Sequence, residues 1–434
     1  MTPSQRDPDV ASLSIRQAAF IGVGAMVGAG IFSLLGAAGE VAGSAVWISF
    51  VLAGAVAGLQ GYSFGKLGAR YPAAGGMLEY VNKGFGGGHA TGIIAWLLFA
   101  TNIIITAMVA VSFGSYASSM FADGDAGWIA PFAVLVVAVM TVLNVVGSQA
   151  VARVQTIVVV VVIGILSIFA VTTLVTMDPH LLAPSGYPPF EDVVSSVALT
   201  FFAFLGFGVI TFTAKDLRDP AHELPKAMYL ALAIAAVIYV AVSLGVFGTL
   251  TVQEVIDSGG TALAVAAEPV LGRAGFWMMS ITALFATAGA TNAGLYPATG
   301  LCQQMAEEGQ FPPAMARSVG GKVSVGLLVT AGGAALLAAF FDLSAIASLG
   351  SAIALLVFAL VTASHLRVRV ETGAKAGILV LGVLTTATVL VSFVATTVVH
   401  EPATMATLLG ILVGSVVADL LWKQRLRRGR AASV

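Results

Sequence analysis

The chain has 434 residues, of which 58% are hydrophobic and only 9% charged, and its formal net charge is −1. A soluble domain carries about 25% charged residues, so this composition excludes a soluble globular protein and indicates a polytopic membrane protein. The near-neutral charge gives no sign of an acidic or basic soluble partner, and we expect no nucleic acid to bind.

Apolar runs long enough to form membrane-spanning helices recur along the whole chain. About 20 residues are needed for a helix to cross about 30 Å of hydrocarbon. We predict an all-α integral membrane protein with about twelve such helices, at residues 15–37, 45–66, 89–119, 128–147, 154–176, 193–214, 227–249, 274–304, 324–340, 344–363, 374–398 and 402–422.

Two of these spans carry glycines in their middle. The first contains GVGAMVGAGIF, from Gly22 to Phe32, and the sixth contains FFAFLGFGVITF, from Phe201 to Phe212. Glycine costs about 1 kcal/mol relative to alanine inside a helix, and in hydrocarbon any backbone group freed by a break must find another partner. We therefore predict that spans 1 and 6 are broken. Gly24 and Gly28 also form a G-x-x-x-G pattern typical of helix packing, so packing and ligand binding both remain open for them.

Corresponding breaks in two halves of a chain are typical of inverted-repeat transporters, whose site lies at the repeat interface. The predicted organisation is a five-plus-five repeat followed by two further helices. Its parts are a cytoplasmic tail at 1–14, a transport core at 15–363 (helices 1 to 5 at about 15–176, helices 6 to 10 at about 193–363), helices 11 and 12 at 374–422, and a basic tail at 423–434.

Basic residues predict the orientation, because cytoplasmic loops collect Lys and Arg. All but Arg273 of the 20 basic residues lie on one side of the predicted spans. We expect a multi-pass protein of the cell membrane with both termini cytoplasmic. The cluster from Lys423 to Arg430 directly follows a membrane helix, which favours a topology anchor beside anionic lipid of the bilayer over a nucleic-acid tail.

The predicted breaks suit a zwitterionic ligand. We expect the outer half of helix 1 to begin around Ala29 and Gly30, where free N–H groups carry an effective positive charge and attract a carboxylate. The inner half would end around Met26 and Val27, and the outer half of helix 6 around Phe202 to Leu205. Unpaired carbonyls at these ends would receive an ammonium group.

Neither broken segment contains Asp or Glu, which favours a substrate with its own carboxylate over a simple amine or polyamine. The substrate side chain would meet residues of helices 3, 6 and 8. The candidates are Asn102, Ile103, Ile104, Gly206, Phe207, Gly208, Thr287 and Thr291.

Three motifs in order make the chain resemble the amino acid, polyamine and organocation permease superfamily. The first is Gly28-Ala29-Gly30-Ile31-Phe32, similar to the family's G-x-G-[IV]-F run. The second is the loop Leu67-Gly68-Ala69-Arg70-Tyr71-Pro72 with Gly75-Gly76 and Tyr80. The third is the aromatic run Phe202 to Phe207 followed by a tail from Lys215 to Pro225. The resemblance covers nearly the whole length.

This resemblance implies roles for individual residues. The substrate carboxylate would meet the backbone of Gly28 to Gly30, the amine would meet the carbonyls of Met26, Phe202 and Leu205, and Phe202 would act as a lid. Gly208 stands where many members have an acidic residue, which favours neutral amino acids as substrates.

Energy coupling is left open by the sequence. Some members place a lysine on helix 5, but Val158 to Ile163 contains no ionisable residue, which weakens a proton relay at that place. A sodium ion would need oxygen ligands such as Thr287 and Thr291. A proton route near Lys215, Asp216 and Glu223, exchange and uniport also remain open. That cluster is otherwise an inner gate or a solvated helix end.

Enzymatic function finds little support. The 5 histidines are scattered without metal-ligand spacing, and we assign no catalytic residue, metal or cofactor. The expected function is a secondary transporter for amino acids. The alternatives are a carrier of another small organic solute or amine and, from a different class, a channel or a transport-derived sensor.

Overall fold

The computed structural model describes residues 13–72, 76–146, 149–319, 323–400 and 402–431. Fifteen α-helices occupy most of this chain: α1 Ile15–Ala29, α2 Leu35–Ala42, α3 Val46–Arg70, α4 Met77–Phe85, α5 His89–Phe121, α6 Ile129–Val146, α7 Gln149–Thr176, α8 Phe190–Phe202, α9 Pro220–Phe247, α10 Val252–Ser258, α11 Ala262–Glu307, α12 Val325–Phe340, α13 Leu343–Thr372, α14 Ala376–His400 and α15 Pro402–Ala431.

Short 3₁₀ helices and one small hairpin complete the described structure. The 3₁₀ helices are Gly43–Ala45, Ala126–Trp128, Pro179–Leu182, Pro184–Gly186, Leu205–Asp216, Gly259–Thr261 and Pro313–Ala316. Strands β1 Ser318–Val319 and β2 Val323–Ser324 pair antiparallel. Most of the predicted tail 1–14, the end of the basic tail 423–434, Gly75 and the side chains of Ala29 and Lys215 lie outside the described residues.

The prediction of an all-α membrane protein is confirmed. Ten helical stretches of the described chain are long and apolar enough to cross a membrane, and the stretches Ile15–Gly28 and Val325–Phe340 are shorter apolar helices. The predicted span 274–304 lies within α11, which is kinked at Gly272. The φ of Gly272 is 69°, a left-handed conformation that glycine adopts without steric cost.

The first span is broken, but its inner half ends at Ala29 rather than around Met26 and Val27, and its outer half begins later than expected. The N–H of Gly30 donates to the Met26 carbonyl at 3.0 Å, and Ser33 and Leu34 both donate to the Gly30 carbonyl. The helical bonding of α1 therefore continues through the glycine run, and the outer half begins at Leu35 rather than at Ala29 or Gly30. The N–H groups of Ile31 and Phe32 lie within this break.

The sixth span is broken where the sequence predicts. Helix α8 ends at Phe202, and the chain continues as the 3₁₀ helix Leu205–Asp216. At 12 residues this helix is unusual, because 3₁₀ runs longer than about 3–4 residues are uncommon and a 3₁₀ stretch inside a span often marks a hinge.

Both ends of the described chain lie on one face of the helix bundle, which we call the terminal face. The N–H of Leu13 donates to the Asp216 carbonyl at 2.8 Å, and the Nζ of Lys423 donates to the Gly88 carbonyl at 2.7 Å. The opposite ends of the helices form the distal face. There the indole Nε1 of Trp47 donates to the Tyr187 hydroxyl at 3.0 Å.

Helix α15 is fixed to the bundle by a buried carboxylate. Asp419 is 0% exposed and lies 2.5 Å from the Nδ1 of His89 and 3.0 Å from the Nζ of Lys423. The indole Nε1 of Trp422 adds a hydrogen bond to the Gly309 carbonyl at 2.9 Å. The last helix is thereby tied to the start of α5 and to the loop after α11.

The Asp419→Ala variant should be markedly less stable than wild type. The substitution removes the hydrogen bond from His89 and the ion pair with Lys423 at the buried carboxylate, and a hydrogen bond to a charged group contributes about 1.5–3 kcal/mol. The thermal midpoint of unfolding in detergent measures this effect. Glu268→Ala removes an exposed carboxylate from α11 and serves as the control. Equal midpoints for the two variants would contradict the anchoring role of Asp419.

Candidate functional site

The two broken segments cross each other in direct contact. A Cβ atom added to Gly206 would lie closer than 3.0 Å to the backbone of Ala25 and Met26, and one added to Gly30 would lie closer than 3.0 Å to the backbone of Ala203. Real Cβ atoms essentially never approach other atoms so closely. These two positions therefore require glycine for packing.

The other glycines of the first run pack in the same way, each on a different neighbour. A Cβ at Gly22 would collide with Ile210 of the 3₁₀ helix, one at Gly24 with Val159 of α7, and one at Gly28 with Ala286 of α11. Of the two interpretations that the sequence leaves open, packing is observed for Gly24 and Gly28. Substrate binding at Gly28 to Gly30 stays a prediction.

A cavity lies beside this crossing. About 970 Å³ of space between atoms, including space open to solvent, belongs to it. It is lined by Ala25 of α1, Met77 and Leu78 of α4, five residues of α5 (Leu98, Thr101, Asn102, Ile105, Val109), Phe202, Leu205, Gly206, Gly208, Val209 and Phe212 around the break of span 6, five residues of α11 (Ala290, Ala293, Gly294, Pro297, Leu301), and Val357 and Phe358 of α13.

Some of the predicted site residues line this cavity. They are Asn102, Phe202, Leu205, Gly206 and Gly208. Asn102 is notable because its Nδ2 is buried and has no hydrogen-bond partner within the described residues. The amide thus leaves a donor available to a ligand.

Other predicted residues are directed elsewhere. Ile103 lies against Gly333 of α12. The ring of Phe207 is buried between Phe64 and Phe358, with ring centroids 5.6 Å and 5.5 Å away. Thr287 and Thr291 are buried, and their hydroxyls donate to carbonyls of their own helix at 2.6 Å and 2.9 Å.

Val27 and Gly28 line a second, smaller pocket of about 220 Å³ between α1, α7 and α11. Its other described lining residues are Gly24, Val158, Val159, Val162 and Ala286. The walls are entirely apolar. No oxygen-rich side chain contributes to it from the described chain.

Phe202 lines the main cavity with a buried ring. Its side chain is 1% exposed, and Gly350 of α13 fits closely against its ring and against Ile104. The Tyr116 hydroxyl donates to the Phe32 carbonyl, within the break of the first span, at 3.3 Å. Along α5 the cavity lining continues on both sides of Ile104, from Leu98 to Val109.

The predicted gating residues other than Phe202 lie around the loop between the 3₁₀ helix and α9: Lys215 and Asp216 end the 3₁₀ helix, and Glu223 lies in the first turn of α9. The Oε2 of Glu223 accepts hydrogen bonds from the N–H groups of Arg218 and Asp219 at 3.0 Å and 3.3 Å, and Asp216 is exposed. The hydrogen bond from the His222 ring holds the pKa of Asp219 below its ordinary value. Glu223 therefore caps a solvated helix end, which is one of the two interpretations left open.

Several lining residues escape sequence reasoning. Met77 comes from the short helix α4, which lies between the predicted spans, and Ala293 and Pro297 carry no chemical signal of their own. Counting from Asn102 along one helical face, at spacings of three and four residues, would have identified Leu98 and Ile105.

The sequence profile of the family described as amino acid permease matches residues 13–424. The chain belongs to the amino acid permease family. It is 30% identical over 406 residues to the inner membrane transport protein YbaT of Escherichia coli, covering 93% of this chain and 94% of the relative. It is 28% identical over 386 residues to the vacuolar cationic amino acid transporter 2 of Arabidopsis thaliana, covering 82% of this chain and 60% of that one.

A third relative is the methylthioribose transporter of Bacillus subtilis, at 26% identity over 322 residues, with 70% of this chain and 69% of the relative covered. The relatives thus include carriers of chemically different solutes. This permease is a membrane transporter of organic solutes, not an enzyme.

Gly30→Ala and Gly206→Ala should each destabilise the permease, because overpacking a tight contact costs about 1–3 kcal/mol. Gly58→Ala is the matched control, since a Cβ there meets nothing within 4 Å. Thermal unfolding in detergent compares the three variants. If the unfolding midpoints of Gly30→Ala and Gly206→Ala equal that of the wild type, these glycines have no packing role.

Proposed function

We propose that this permease is a secondary transporter that moves neutral amino acids across the cytoplasmic membrane by alternating access. The observation that carries the proposal is an apolar cavity bordered by two broken helices whose ends differ in polarity. Membership of the amino acid permease family makes an amino acid the expected substrate.

The helix ends suit the two charges of an amino acid. Helix α2 begins at Leu35 without a side-chain cap, so its N-terminal N–H groups and those of the break before it favour a carboxylate. Helix α8 ends at Phe202, where the carbonyl end of the helix favours an ammonium group. Gly30 and Ala203 are in contact, which keeps the two ends close together.

The cavity itself favours a neutral side chain. Among its described lining residues none is charged, and Thr101 and Asn102 supply the polar side chains. A cationic side chain would be desolvated there without a counter-charge, at a cost of several kcal/mol. The name of the Arabidopsis relative refers to cationic amino acids, and we propose that this permease differs from it in substrate charge.

A cavity at the crossing of two broken helices suits the substrate site of an alternating-access carrier. The buried ring of Phe202, which is 1% exposed, borders this cavity and is the proposed gate. We keep residues 15–363 as the proposed transport core and 374–422 as an appended helix pair.

Two features of the structure bear on the coupling of transport to an ion. The small pocket beside α7 is lined by Val158, Val159 and Val162, which argues against a charged relay there. Thr287 and Thr291 donate their hydroxyl hydrogens to helix carbonyls, which leaves the lone pairs of both oxygens as ligands for a sodium ion. Proton coupling elsewhere, exchange and uniport remain the alternatives to be measured.

Purified permease in liposomes should take up neutral amino acids with saturable, competable kinetics. Uptake of a labelled panel is measured with a pH gradient, with a sodium gradient, with internal amino acid, and with none of these. Stimulation by one condition identifies the coupling. Absence of amino acid uptake under all four conditions, or flux that does not saturate, would overturn the proposal.

Gly208→Asp should lower neutral amino acid uptake at least about tenfold and increase competition by lysine. The new carboxylate would enter an apolar cavity, and the neighbouring Cε of Met77, 3.3 Å from a Cβ at this position, belongs to a flexible side chain that is able to move. Gly208→Asn adds the same volume without the charge. If both variants show the same substrate preference, charge at this position does not set selectivity.

A further inference from the structure

Two helices present matching faces to the main cavity. Helix α5 contributes Leu98, Thr101, Asn102, Ile105 and Val109, and α11 contributes Ala290, Ala293, Gly294, Pro297 and Leu301. Both sets have the same spacing along the chain, which corresponds to one side of an α-helix. The α5 face carries larger side chains, whereas the α11 face is small over most of its length.

The small residues on this face of α11 serve two different purposes: some pack against neighbouring helices, and one leaves room in the cavity. Ala290 packs against Gly28 of α1, and Gly294 lies so close to Thr106 of α5 that a Cβ would collide with it. Small residues at these two positions let helices approach each other. Ala293 lies between them, is half-buried and lines the cavity, so its small size leaves room for a ligand.

The space in front of Ala293 is bounded mainly by hydrocarbon. Met77, Phe212, Val357 and Phe358 line the same cavity. The hydrogen of the Thr101 hydroxyl is already used, because it is donated to the Leu97 carbonyl at 2.8 Å. Within the described lining the Nδ2 of Asn102 is thus the side-chain donor left without a partner.

We propose that this cavity selects amino acids with large apolar side chains, and that Ala293 sets the upper limit of side-chain size. The inference rests on the proposed function and names the substrate class of the same site. A large apolar side chain removes more apolar surface from water than a small one does. A polar side chain would lose hydrogen bonds to water that these walls do not replace.

Ala293→Leu tests the proposal by partly filling the cavity. Liposomes measure uptake of labelled phenylalanine and of labelled alanine, with methionine, leucine, glycine and serine as competitors. We expect wild type to prefer the large apolar substrates. In the variant the ratio of phenylalanine to alanine uptake should fall about tenfold or more, the range found when apolar volume in a pocket changes by a methylene or two.

Ala274→Leu is the matched control, because Ala274 is an exposed residue of the same helix and does not belong to the cavity. It should leave the ratio of phenylalanine to alanine uptake at the wild-type value. If Ala293→Leu does not yield monodisperse protein, Ala293→Val makes the same test with a smaller side chain, and the ratio should then fall by a smaller factor.

The outcomes separate the two proposals. Uptake of no amino acid by wild type overturns the proposed function itself. Saturable wild-type uptake that does not discriminate phenylalanine from alanine leaves the function standing and overturns the proposed substrate class. Equal ratios for wild type and both Ala293 variants, in protein that transports, overturn the assignment of Ala293 as the size limit.

Discussion

The structure depends on one constraint: hydrocarbon offers no hydrogen bonds to a backbone that leaves its helix. Two spans of this permease are broken, and each break is placed against the other. Gly30 lies on Ala203, and Gly206 lies on Ala25 and Met26. The absence of Cβ atoms lets the main chains approach, so the polar groups of both breaks are sheltered by protein rather than exposed to lipid.

The same contact positions the main cavity. Gly30 lies against Ala203, which brings the end of α1 to the end of α8, and the cavity lies beside this crossing, lined by α5 and α11. Under the proposed function, different elements supply main-chain recognition and side-chain selectivity. The breaks would bind the groups that all amino acids share, whereas the walls of α5, α11 and α13 would distinguish one side chain from another.

Hydrophobic run length and glycine placement predict the spans and both breaks, because these depend on local sequence. The exact end of α1 is not predictable in this way, since the Gly30 N–H continues the helical bonding to Met26. Rotation of each helix about its axis is also set by packing. Thr287 and Thr291 therefore turn to their own helix, while Met77 and Ala293, which have no chemical signal, line the cavity.

The 3₁₀ helix from Leu205 to Asp216 is longer than an α-helix with the same number of residues would be. A 3₁₀ helix rises about 2.0 Å per residue and an α-helix about 1.5 Å, so rewinding its 12 residues as α-helix would shorten it by about 6 Å. At the end of this 3₁₀ helix the Asp216 carbonyl accepts a hydrogen bond from the N–H of Leu13, which lies just before α1. A shortening of the 3₁₀ helix would therefore pull on the first span. The two broken spans are thus linked at two places, the terminal face and their crossing.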